Sequence, residues 1–115
     1  MSVPSYSDTS LPQVSHDFEW TNESWGAAPR CRPLAVIAPH LFTTRQLELS
    51  SPAHLRALGQ SVGASKVAMV HQVHGRHVVV IRKGQQIPGS RPEADALISD
   101  ASDIAVAVRA ADCVP

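Results

Sequence analysis

Apolar positions along the chain fall into short runs between turn residues, and their spacing changes along its length. From residue 1 to residue 32, Phe18, Trp20 and Trp25 stand apart among Ser, Pro and Asp, with no sustained period of 2.0 or 3.6. This stretch reads as a flexible leader, mobile or loosely docked, whose tryptophans pack locally or against a partner. From Pro33 onward the texture changes. The runs at 34–38 and 40–45 read as one or two short strands around Pro39. Ser51 offers an N-cap and Pro52 a first helical residue. Leu55, Leu58 and Val62 follow at i, i+3 and i+7, and Gly63 stands at the C-terminal stop, which predicts a helix of about three turns. The valine-rich runs 66–73 and 78–82 flank 74–77, where Gly75 is free to take a positive φ. They read as a strand pair or one bent strand. Past a polar stretch with Pro88, Gly89 and Pro92, the runs 94–99 and 104–109 add two short strands. One helix among about five strands, with no internal repeat, is an α+β pattern.

Charge narrows the function classes. The 115 residues carry 10 Lys+Arg against 10 Asp+Glu, so no long-range field is available to hold a nucleic acid or an anionic membrane surface. No apolar run approaches the roughly 20 residues of a spanning helix. The first 17 residues lack both a basic start and the apolar stretch of a signal peptide, which predicts a cytoplasmic protein with reduced thiols. Cys31 and Cys113 are then free, metal-bound or catalytic. With 4% aromatic residues, the core must come mainly from Val, Leu, Ile and Ala. The last residues, Val108 to Pro115, run out of a predicted strand. A sheet ending there needs another segment or a second chain to cover its edge.

Candidate chemistry gathers at two places. His71, His74 and His77 would share one helix face, but the surrounding valines favour a strand, in which His74 opposes the other two. His74 differs from its neighbours because Gly75 follows it and leaves room beside the imidazole. Cys113, after Asp112 and before Pro115, is a small buried hydrophobe, a nucleophile or a soft metal ligand. With His74 it would make either two ligands of a metal centre or a metal-free Cys/His hydrolase dyad.

Four segments occur in the order and manner of a known family: Phe42-Thr43-Thr44-Arg45; Gln72-Val73-His74-Gly75 with Val78 after it; Ala94-Asp95-Ala96-Leu97-Ile98-Ser99; and Ala111-Asp112-Cys113-Val114-Pro115. Together they resemble the YfiH-type polyphenol oxidase, or laccase-domain, family over residues 33–115. Members of that family are regarded as purine nucleoside phosphorylases with adenosine deaminase activity.

The resemblance implies a layered α/β/β/α sandwich with a mixed sheet. This chain would be the N-terminal and incomplete part of it, with residues 1–32 as leader and 33–115 as the N-terminal half. It makes His74 and Cys113 catalytic residues and two ligands of a zinc or copper ion, the third ligand being a histidine of a later segment. Ala110 stands where the family commonly has threonine. The implied activities are phosphorolysis of adenosine, inosine and S-methyl-5'-thioadenosine, and deamination of adenosine by metal-activated water. Arg45 is the candidate for phosphate, since a guanidinium offers paired donors. Gln72, Asp95 and Asp112 are candidates to touch substrate or to orient a ligand imidazole. The expected partners are a purine nucleoside and phosphate, with a homo-oligomer or a complementing chain, and neither nucleic acid nor membrane. The competing readings are an inactive metal-binding fragment and the metal-free hydrolase. The older copper oxidase label would require several copper sites.

Overall fold

A computed structural model describes residues 11–87 and 90–110. The chain divides into two compact units, Met1–Gly63 and Ala64–Pro115. Both strands and helices are present, so the class is α+β.

The first unit opens with an antiparallel hairpin of β1 (Phe18–Glu23) and β2 (Gly26–Cys31), in register from Phe18 opposite Cys31 to Glu23 opposite Gly26. Residues 18–31 are therefore not the leader that the sequence pattern suggests. The positions the hairpin buries are Trp25, Gly26, Ala27 and Ala28, and Ala27 and Ala28 are 0% exposed. Small residues bury little area each, so they leave no strong apolar alternation to read. Trp25 packs within its own unit, its indole N–H donating to Ser61 Oγ at 3.1 Å. The Trp20 indole donates to the Pro12 carbonyl.

The expected strands at 34–38 and 40–45 do not form. Arg32–Ala35 makes a one-turn helix, α1, with Pro33 in its first turn, where a fixed φ is helical and no N–H is required. Residues 40–46 lie along the free edge of β2 without becoming a strand. Cys31 N–H donates to His40 Nε2, Phe42 N–H to Pro29 O, Thr44 Oγ1 to Ala27 O, and Ala27 N–H to Gln46 Oε1. Side chains thus satisfy most of an edge that Pro29, with no N–H, could not pair regularly.

Helix α2 (Pro52–Ser61) follows the sequence expectation. Ser51 caps it by accepting from His54 N–H, Leu58 is buried, and Gly63 takes φ 78 just past the end.

The second unit holds four short strands: β3 (Lys66–Met69), β4 (Val78–Ile81), β5 (Ala96–Ser99) and β6 (Ile104–Ala107). The expected strand pair around 74–77 is replaced by parallel partners distant in sequence. β3 pairs with β6, Lys66 opposite Ile104, and β4 pairs with β5, Val78 opposite Ala96. Ala64, Ala68, Met69, Val70, Ile81, Ala94 and Ala101 form the core of this unit.

Candidate functional site

The segment between β3 and β4 is an arch standing on the residues that lead into β5. At one foot, His71 N–H donates to Pro92 O and Ala94 N–H to His71 O, an isolated parallel bridge between His71 and Glu93. At the other, Asp95 N–H donates to His77 O at 3.0 Å. The Asp95 carboxylate fills the arch. Its Oδ1 accepts from Val73 N–H at 3.1 Å and His74 N–H at 2.9 Å, and its Oδ2 from Gly75 N–H at 2.7 Å. Three successive main-chain donors form an anion-binding concavity, and the chain supplies its own anion.

This clamp explains the backbone. The positive φ expected of Gly75 is found at His74 instead, at 59°. Left-handed backbone at a residue other than glycine is costly and persists where surrounding bonds enforce it. Gly75 serves by being small, because a Cβ there would stand 3.3 Å from Asp95 Oδ2. Desolvation pushes the Asp95 carboxyl up, but the N–H groups of Gly75, His74 and Val73 and the charge of the His74 ring outweigh it and hold the group below 3.8. Asp95 therefore stays ionised and keeps the arch closed at neutral pH.

Among the described residues, His74 is bonded through its main-chain N–H alone, and its side chain is exposed. A fixed backbone with an exposed imidazole suits a nitrogen donor to zinc or copper. No group of three metal-ligating side chains occurs among the described residues. Cys113 and Asp112 lie outside them.

Gln72, expected at the substrate or beside a ligand, has both ends of its amide on Arg109. Nε2 donates to Arg109 O at 2.9 Å, and Oε1 accepts from Arg109 N–H at 2.8 Å. Arg45 is exposed in the first unit, on the segment along the edge of β2. Of the candidate residues, the structure joins His74 to Asp95, while the side chain of Gln72 is bonded to Arg109. The pairing with Arg109 and the main-chain clamp on Asp95 were not foreseen, since peptide groups leave no trace in a pattern of side chains.

A family model described as multi-copper polyphenol oxidoreductase laccase matches residues 50–115. The match takes in α2, the arch, Asp95 and the segment ending at Pro115, and it begins after Phe42-Thr43-Thr44-Arg45. No curated protein and no solved structure matches the chain.

Proposed function

The chain belongs to the multi-copper polyphenol oxidoreductase laccase family, and from that premise we propose that His74 and Cys113 serve a metal centre for purine nucleoside chemistry. The reactions are phosphorolysis of adenosine, inosine and S-methyl-5'-thioadenosine, and deamination of adenosine. The observation that carries the reading is the exposed His74 side chain on a backbone fixed at φ 59 by the Asp95 carboxylate. With the backbone already fixed, only the side-chain torsions of His74 remain to be ordered when a metal binds.

His74 and Cys113 would hold the ion, with the third ligand supplied by a second copy or a complementing chain. When bound, the ion supplies Lewis acidity and activates water near neutral pH. The chain's own groups do the rest. Asp95 keeps the arch closed without taking a proton, because its two oxygens are already shared among three N–H donors. Asp112, adjacent to Cys113, orients a ligand or holds a ribose hydroxyl.

The experiment is incubation of the full chain with adenosine, with and without phosphate, following adenine, inosine and hypoxanthine by chromatography alongside bound metal. Phosphate-dependent release of adenine and phosphate-independent formation of inosine are expected, both abolished by a chelator, by His74→Ala and by Cys113→Ser. Asp95→Asn should lower both activities together with metal content, because an amide cannot accept from all three N–H groups with the same charge. Turnover that survives chelation but not Cys113→Ser would replace this reading with the hydrolase dyad. Oxygen uptake with a phenol and no action on nucleosides would replace it with the oxidation named in the family description.

A further inference from the structure

Gln72 stands just past the end of the β3–β6 ladder, whose last pair is Met69 opposite Ala107. By the alternation of a strand, the peptide groups of Lys66 and Ala68 face β6 and those of His71 face away from it, to Pro92 and Ala94. Continued in parallel register, the ladder would have set this stretch beside Arg109, whose N–H and C=O would lose their partners. The Gln72 side chain supplies them at 2.8 and 2.9 Å. A primary amide has one carbonyl and two N–H bonds, so it replaces a peptide group donor for donor and acceptor for acceptor.

We propose that Gln72 is a positioning residue that sets the segment leading to Cys113 against the arch that carries His74. It stands two positions before His74, and Arg109 stands four before Cys113. One side chain thus ties together the two stretches from which the ligands come. The inference rests on the reading of His74 and Cys113 as ligands. It gives Gln72 a role besides the substrate contact that the sequence suggested, one N–H and one carbonyl lone pair of its amide being taken by Arg109.

The test uses the full chain and cobalt(II), whose thiolate charge-transfer absorption reports the Cys113 bond directly. In metal-free protein, amide exchange at Arg109 should be faster in Gln72→Ala than in the parent. Cobalt affinity should fall about tenfold, the lower end of the range for losing an outer partner of a metal ligand, with a weaker charge-transfer band. Gln72→Glu keeps the acceptor for Arg109 N–H and loses the donor to Arg109 O, so it should fall between the two. It carries the test alone should Gln72→Ala fail to fold. Faster exchange at Arg109 with cobalt affinity and band unchanged would overturn the proposal, leaving the pair as a local brace. Unchanged exchange would overturn it at the first step. Cobalt binding untouched by both His74→Ala and Cys113→Ser would instead remove the ligand reading, a result the Arg109 exchange does not affect.

Discussion

Glu23 and Asp95 are carboxylates held by several donors, for different purposes. Asp95 gathers main-chain N–H groups and so shapes a loop, whereas Glu23 ties the two strands of a hairpin to a helix. Glu23 accepts from Thr21 Oγ1 at 2.6 Å and pairs with Arg30 at 3.2 Å, and Arg30 in turn donates to Ser61 O at 2.8 Å. Desolvation pushes the Glu23 carboxyl up, yet the Thr21 hydroxyl, the Arg30 charge and bonds from Ser61 and Arg30 prevail and hold it below 4.5. A group with a depressed folded-state pKa stabilises fully above its unfolded value, and that contribution disappears as pH falls through the folded value. Urea unfolding of the parent should therefore lose stability below about pH 4.5, and Glu23→Gln should be weaker near neutrality with a flatter acid slope. Identical acid slopes for the two proteins would refute the assignment. Neither carboxylate could be placed from sequence beyond its residue type. Asp95 was readable as an orienting group, but its donors are peptide N–H groups, and the left-handed residue proved to be His74 where glycine was the natural expectation.

Elements were readable in proportion to how local their causes are. Helix α2 has its cap, its proline and its apolar spacing within about a dozen residues, and it forms where those signals fall. The partners of β3 and β4 are set by contacts across some 20 to 40 positions, which no local pattern encodes. Residues 34–38 failed for another reason, since a short apolar run between prolines fits a strand or a single helical turn, and α1 took the latter. The hairpin was hidden by its small residues, and Gly26 shows why they are needed. It has φ 148, and a Cβ there would lie 2.2 Å from Gln46 Oε1 and 2.8 Å from Gln46 Cβ. Gly26→Ala should therefore move Gln46, break its bond from Ala27 N–H, and destabilise the first unit by about 1–3 kcal/mol in chemical denaturation. A loss within about 0.5 kcal/mol, the range of ordinary surface substitutions, would mean that the edge segment yields without cost.

The α+β class, the neutral charge and the family could be argued from sequence, and three of the four motifs behind the resemblance fall within the matched residues 50–115. No helix among the described residues is long and apolar enough to cross a membrane. Where the expectation could not reach is how much of the support for the proposed centre comes from main-chain groups. The Asp95 clamp and the Gln72 pair both act through main-chain groups, and both belong to the second unit. A metal that binds the folded protein and not the unfolded chain must stabilise the structure that presents its ligands. Zinc at a hundredfold excess over its dissociation constant should add about 2.7 kcal/mol to the opening free energy of that structure. The place to measure it is amide exchange along β3 and β6, the ladder that ends at the Gln72–Arg109 pair. Protection there should rise with zinc, fall back with a chelator, and fail to rise in His74→Ala. Protection insensitive to zinc in the parent would mean that the imidazole is held in place for a purpose other than binding a metal.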